Sequence, residues 1–346
     1  MMLAEALAAV VPDIDPVLAS PAARGRVLKA GSGLGDDAIA AYIECRADPG
    51  DDRTDLLACF LSTADPQPAS TPEIESGPRD GWSLAAAVQL ARRTDGNALH
   101  GNSPLIWLEF DDAGSEQAAG SPSVCVCLEP GYLARNRWRA ANPACEAMAT
   151  TVASLAAVDE ATGSAVVRCI RALPAEGRAI HLSLMCARTG NATKLYERVP
   201  LRSAPDYLAR IGWDGDRAGL QSLLDWREPD DAFVHLDLSI EKGLVLPRLG
   251  IAFPRTNDGG RFNLDVFAGL AARTLSQEAT DRVREAGMAW TETEPGIRTP
   301  GGWSCIVHRW IDQKVVLDRG GFELKLYLAV RPLPFLLGAL AGAGGR

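Results

Sequence analysis

Two tripeptides in this chain pair a cation with a phenol at alternate positions, Lys194-Leu195-Tyr196 and Lys325-Leu326-Tyr327. In an extended strand, residues two apart project to the same face, so each pair offers an ammonium and a hydroxyl side by side. That combination suits anion binding, with lysine as a compact charge and tyrosine as a hydrogen-bond donor. Carboxylates recur in similar surroundings. Aligning WLEFD (107–111) with HLDLS (235–239) matches Glu109 to Asp237. Two acids facing one cavity are raw material for general acid–base chemistry, although each would serve equally as an ordinary polar residue bonded to a neighbouring lysine. His235 and His308 are further candidates for proton transfer. Neither carries an HxH or HxxxH partner, so no metal and no cofactor is expected. Trp107 and Trp310, on the faces of Glu109 and His308, add rigid aromatic anchors.

Other chemistries lack their markers. No GxSxG elbow occurs. The eight cysteines (45, 59, 125, 127, 145, 169, 186 and 305) show no CxxC spacing, and several lie in apolar runs such as LLACFL and SVCVCL. They read as buried thiols of a reducing compartment, with Cys125 and Cys127 on one strand face. His181 and Cys186 fall on opposite faces by the same alternation. The glycine-rich GSGLG (31–35) reads as a plain turn rather than a phosphate loop. Trp107, Trp213, Trp226, Trp290, Trp303 and Trp310 fall near strand or helix ends, a set suited to a peptide groove as well as to a core.

The elements that must position these residues are visible as period-2 segments in pairs, the signature of antiparallel hairpins. AAYIECRA and LLACFLS flank DPGDD; LIWLEFDD and VCVCLEP flank a Gly/Ser-rich loop; AIHLSLMCA and TKLYERVPL flank RTGNA. FVHLDLSI and LVLPRLGIAF flank EKG, and SCIVHRWI and FELKLYLAV flank DQKVVLDRGG. Helical patterns fill the gaps: an alanine-rich N-terminal region, GWSLAAAVQLARR, PACEAMATTVASLAA, APDYLARIGW with DRAGLQSLLDW, and NLDVFAGLAARTLSQEATDRVREAG. Asn142 or Pro143, Asp216 and Asn263 stand where caps or first turns belong. The expected fold is α+β: repeated, pseudo-symmetric ββα units form one large antiparallel sheet or barrel of about ten strands with helices outside. His181, Ser183, Lys194, Tyr196, His235, Asp237, His308, Trp310, Lys325 and Tyr327 then share the polar face. A closed barrel would line its lumen with them and remove exposed sheet edges.

Length and charge bound the rest. The chain has 346 residues, 47% of them hydrophobic, enough for a large core. Its net charge of −9 is mixed along the sequence without a basic stripe, which argues against nucleic acid. No apolar run is long enough to span a bilayer, and MMLAEALAAVVPDIDP carries Glu5 where a signal peptide needs a basic region. A cytoplasmic protein without a membrane partner is expected. Residues 1–100 read as N-terminal helices, first hairpin and linker, the last of these TADPQPASTPEIESGPRDG; 101–230 and 231–335 read as two repeat lobes, and 336–346 as a frayed tail.

The hairpin-plus-helix repeat with Lys-x-Tyr on inner strands resembles the αββα barrel of aromatic prenyltransferases. That resemblance implies a lumen in which Lys194, Tyr196, Lys325 and Tyr327 hold a prenyl diphosphate, Arg248 joins them, and Glu109 or Asp237 takes a proton from the acceptor. The segments LIWLEFD, YLARIGWDGDRAGLQSLL, FVHLDLSIEKGLVLPRLGIAF and FELKLYLAV, within residues 104–331, also resemble a family of bacterial proteins linked to the making of ribosomally synthesised, modified peptides, as in the crocagin pathway. This second resemblance implies a non-catalytic accessory protein that binds a precursor peptide and meets the tailoring enzymes of its pathway. The peptide would lie in a groove or add as a strand to an open sheet edge. Its contact residues would be Trp107, Lys194, Tyr196, His235, Trp310, Lys325 and Tyr327, with Glu109, Asp237 and His235 the catalytic set should the protein be an enzyme. Oligomeric state stays open, with a homodimer one option.

Overall fold

The computed structural model describes residues 3–34, 38–47, 51–61, 81, 84–85, 88, 105–111, 122–128, 142–186, 192–225, 233–252, 269, 271, 275–292, 296–298, 304–319 and 321–334. The Pro/Ser-rich linker from residue 62 onward, Asn263, Trp226, Trp303 and the tail 336–346 lie outside the described residues. Eleven strands are described: β1 Ala38–Arg46, β2 Thr54–Leu61, β3 Leu105–Phe110, β4 Ser123–Cys127, β5 Arg178–Leu184, β6 Thr193–Pro200, β7 Phe233–Glu241, β8 Leu244–Ala252, β9 Gly296–Arg298, β10 Ser304–Asp318 and β11 Gly321–Pro334. Every pairing is antiparallel, in the order β11-β1-β2-β3-β4-β5-β6-β7-β8-β10-β9. Pairing of β10 with β11 closes all but β9 into a barrel, and β9 attaches to β10 outside the ring. The ten-strand alternative of a closed barrel is therefore the one adopted.

Among the described residues each of the ten ring strands has a neighbour on both sides, and β9 is the edge strand. One expectation is corrected: the segment DQKVVLDRGG is no loop, because the 15-residue β10 runs into it as far as Asp318, and Lys314 to Leu317 pair with β8. This far end of the long β10–β11 hairpin is what joins the ring. At the β7–β8 turn the sequence reading holds, because Lys242 (φ 50°) and Gly243 (φ 81°) both take the left-handed conformation of a tight two-residue hairpin loop.

Alternation divides each strand between two environments. Outward residues such as Ile43, Leu56, Leu108, Leu195, Leu236 and Leu326 are fully buried beneath the helices. Helices α1 (Leu3–Val10) and α2 (Pro21–Ser32) cover β1, β2 and β11. Helix α3 (Asn142–Leu155) lies on β5, α4 (Glu160–Ala172) on β7 and β8, and α7 (Gln277–Glu292) along β10. The short α5 (Ala204–Arg210) and α6 (Arg217–Leu224) complete the layer. Ser20, Asp159 and Asp216 each accept a hydrogen bond from the amide three residues on, at Ala23, Thr162 and Gly219; each such cap is worth about 1 kcal/mol. Helix α4 is an element the sequence reading missed. Its signals are the Asp159 cap and a buried stripe at Thr162, Ala165, Val166, Cys169 and Ile170. The GSGLG run also differs from expectation. Gly31 and Ser32 end α2 and Gly33 caps it; a Cβ on Gly31 would meet Leu7 Cδ1 at 2.8 Å, so glycine lets α1 and α2 approach closely. No helix among the described residues is long and apolar enough to cross a membrane.

One acid stands in the apolar layer. Glu197, on the outward side of β6, is fully buried and accepts a hydrogen bond from Tyr207 of α5. Burial pushes its pKa up to about 8, against the pull of that hydrogen bond. A carboxyl whose folded-state value is raised binds its proton more tightly folded than unfolded. Stability then falls as pH rises from the ordinary glutamate range and levels off above the folded value. Thermal melts of Glu197→Gln should lack this decline. Between those limits the wild type should lose up to about 1.4 kcal/mol per pH unit relative to the variant, and parallel pH profiles would disprove the buried proton.

Candidate functional site in the barrel lumen

Inward residues form two zones along the barrel axis. Toward one end, Ala40, Cys59, Leu105, Trp107 and Cys127 make a small apolar cluster separate from the outer core, with Tyr42, Leu57 and Cys125 against it. The Tyr42 ring centroid lies 5.4 Å from Trp107, 5.8 Å from Trp310 and 6.1 Å from Tyr327, the last two edge-on. Four aromatic rings from β1, β3, β10 and β11 therefore meet, which is the arrangement that stacking and edge contacts favour. Burial lifts the Cys125 thiol to about 12, so this floor carries no thiolate nucleophile.

Beyond the aromatic rings the lumen is charged. Glu44 Oε1 accepts from Arg46 Nη1 at 2.5 Å and from Lys325 Nζ at 2.6 Å. Arg46 also holds Asp55 Oδ2 at 2.8 Å and Glu323 at 3.0 Å. Glu44 is 3% exposed and Arg46 and Lys325 7%, so these are charges removed from water that persist because each faces an opposite one. Burial raises the Glu44 pKa, but Lys325 and Arg46 outweigh it and hold the carboxyl well below the usual range. Arg248 on β8 reaches Glu323 at 2.7 Å and Asp318 at 3.3 Å.

A second centre forms around Asp237. Lys314 donates to its Oδ2, and Lys194 Nζ lies 3.7 Å from the same oxygen. Burial opposes ionisation, yet the two lysines bring Asp237 down to about 2. Lys314 reaches it across the intervening β8 because residue 250 is glycine. A Cβ there would stand 2.4 Å from Lys314 Cε and 2.8 Å from Asp237 Cβ. On the adjoining wall the Tyr196 hydroxyl lies 2.8 Å from His235 Nδ1, and His181 stacks on Tyr196 with centroids 5.7 Å apart. Burial holds His181 down to about 4 and His235 to about 3, so both rings are neutral near pH 7, and the Tyr196 hydroxyl and His235 Nδ1 share one hydrogen bond.

Every residue singled out for the lumen face and described here has a place in this arrangement. Lys194 and Tyr196 sit on β6, Lys325 and Tyr327 on β11, and Lys314 links the two sets, its Nζ bonded to Asp237 and 5.9 Å from the Tyr327 ring centroid. Glu109 lies with Glu44 and Asp55, the three offering oxygens within 4.8 Å of one another, and shares with Asp237 the neighbourhood of Lys314 and Tyr327. The oxygens of Glu44 and Asp55 already face Arg46 and Lys325, so this chain's own cations neutralise the group. His308 is on the lumen face, 5.1 Å from the Trp310 ring centroid. Trp213 and Trp290 are not groove residues. Both are buried in the outer core, their indole N–H groups donating to the carbonyls of Pro247 and Trp310. The sequence reading missed Tyr42, Glu44, Arg46, Asp55 and Lys314, although Tyr42, Glu44 and Arg46 alternate along β1 in the same manner as the residues it found.

Comparison with protein-family models finds no match, and neither does comparison with curated proteins. Among solved structures the chain is similar to AnaPT from Neosartorya fischeri, with a TM-score of 0.48 and 12% identity over 85% of this chain and 79% of that one.

Because Asp237 is the shared counter-charge of two half-buried lysines, Asp237→Asn should cost about 3 kcal/mol, toward the low end of the penalty for leaving a buried pair broken. A depressed carboxylate pKa stabilises the fold above the ordinary aspartate value and loses that contribution as pH falls toward about 2. Acid titration of the variant should therefore show a shallower loss than wild type between about 4 and 2. Equal slopes would place the counter-charge elsewhere.

Proposed function

We propose that this protein is a binding protein that takes one end of a peptide into its barrel lumen. The observation that carries this reading is charge balance. Arg46 faces Glu44, Asp55 and Glu323, Lys325 faces Glu44 and Glu323, and Lys194 and Lys314 face Asp237, so four cations meet four carboxylates and bring no net positive field. A diphosphate stripped of water needs several cations free to meet it. To hold one with Lys194, Tyr196, Lys325 and Tyr327, as a prenyl transferase would, the lumen must break its own ion pairs. A peptide end brings an ammonium or carboxylate, backbone amides and a side chain. These match paired charges, phenols and the floor around Trp107 and Trp310 without requiring the ion pairs to break. Among the described residues every ring strand already has a neighbour on each side, which supports insertion over strand addition to the ring. The ligand class that fits the family resemblance is a ribosomally made precursor peptide, presented here to the enzymes that modify it.

Titration calorimetry separates the two readings. Short tryptophan-containing peptides should give saturable heat, and dimethylallyl and geranyl diphosphate, with or without magnesium, should give none up to millimolar concentration. Micromolar diphosphate binding that disappears in Lys194→Ala and Lys325→Ala would replace the peptide reading with the transferase.

A further inference from the structure

Helix α4 packs one side on β7 and β8 and turns the other outward. Its outward crest carries Glu160, Ser164, Val167 and Arg171, of which Val167 is half-buried and the other three are exposed. These residues follow one another at intervals of four, three and four, which places them on one helix face. That spacing reads the same in both directions. When α4 is laid antiparallel on a second copy of itself about a two-fold axis, Glu160 stands opposite Arg171 of the second copy, and Ser164 opposite its Val167.

Charge along the face is divided in the same sense. Asp159 and Glu160 stand at the amino end, where Asp159 accepts from the Thr162 amide at 2.9 Å, a neutral donor that leaves the carboxylate charge uncancelled. Three guanidinium groups stand at the carboxyl end. Arg168 donates to the Gly243 carbonyl at 3.0 Å, Arg210 to the Ala172 carbonyl at 3.1 Å, and Arg171 to Glu146 at 2.9 Å. Of these three contacts only the last is with a charged group. The face therefore runs from net negative to net positive, and an antiparallel copy meets each end with the opposite sign, as a two-fold interface requires of a self-complementary surface.

Between the ends the side chains are small. A Cβ on Gly163 would meet nothing within 4 Å, and Ser164 is short, so a second helix has room to approach. A stable contact buries about 800 Å² per partner, more than the crest alone offers. Beside the crest, α3 and α4 bound a groove of about 690 Å³ with Ala153, Val158 and Ala172 in its wall. On the other flank the β7–β8 turn is tied to Thr162 and Arg168 of α4, and its Leu244 is 66% exposed. Both flanks widen the face. We propose that α4 is the centre of a symmetric homodimer interface, two copies packing antiparallel with Glu160 of each against Arg171 of the other. The contact lies on the outside of the barrel and is independent of what the lumen binds.

Sedimentation equilibrium of the intact chain should show a dimer at micromolar protein that loosens as salt rises. Glu160→Arg and Arg171→Glu each set like charges face to face and should weaken the dimer at least about tenfold. Combined in one chain, the two reversals restore opposite signs and should bring the dimer back. Ser164→Arg crowds the axis and should give a monomer whose circular dichroism matches wild type. This variant breaks no ion pair within the chain, so it decides the matter should Arg171→Glu, which also loses Glu146, fail to fold. A wild type that stays monomeric at submillimolar concentration, a dimer that survives Ser164→Arg, or folded single reversals that the double variant does not rescue would overturn the proposal.

Discussion

The lumen of this barrel is held open to polar side chains by mutual neutralisation of buried charge. A carboxylate or ammonium moved out of water loses several kcal/mol of solvation unless a partner of opposite sign and good geometry replaces it. Here the partners come from different strands: Glu44 and Arg46 from β1, Asp55 from β2, Lys325 and Glu323 from β11, and across β8 the pair of Asp237 with Lys314. No single strand satisfies its own charges fully. The ring must close with the right neighbours in the right register for the account to balance, so the same contacts that define the cavity also select the strand order around it.

Much of this arrangement can be read from the chain alone, and the limits of that reading have physical causes. A strand announces its two faces by alternation, which is why Trp107 and Glu109, Lys194 and Tyr196, His235 and Asp237, and Lys325 and Tyr327 could be assigned to one side. Alternation says nothing about who stands opposite. Repeat position aligns Glu109 with Asp237, and cross-strand geometry adds Glu44 and Asp55 beside it. Lys314 was lost because Asp-Gln-Lys and Asp-Arg-Gly-Gly resemble turn chemistry. Trp310, Asp312 and Lys314 nonetheless continue the alternation, and pairing with Tyr327 and Lys325 sustains the strand. Local propensity lost to tertiary pairing at that point.

The outer layer follows a simpler rule with two exceptions. Apolar residues at alternate strand positions meet the helices, and capped helices such as α4 supply complementary stripes. Glu197 and Arg309 break the pattern, and they are accommodated differently. Glu197 is buried as a carboxyl that retains its proton beside Tyr207, while Arg309 keeps its charge and leans on an indole. A carboxyl sheds its charge by taking up a proton, whereas a guanidinium cannot be neutralised and must be met by a π-face or an anion.

One short ladder of the wall is reinforced by ion pairs. Among the described residues β8 and β10 pair only at Lys314 to Leu317, whereas β10 and β11 pair along the whole hairpin. The strands on either side of that short ladder are tied by side chains instead, Lys314 to Asp237 and Arg248 to Asp318 and Glu323. A hoop fastened by a clasp yields at the clasp. Opening along this meridian breaks few backbone bonds and several ion pairs, so the ionic strength of the surroundings sets how tightly the cylinder is buckled there.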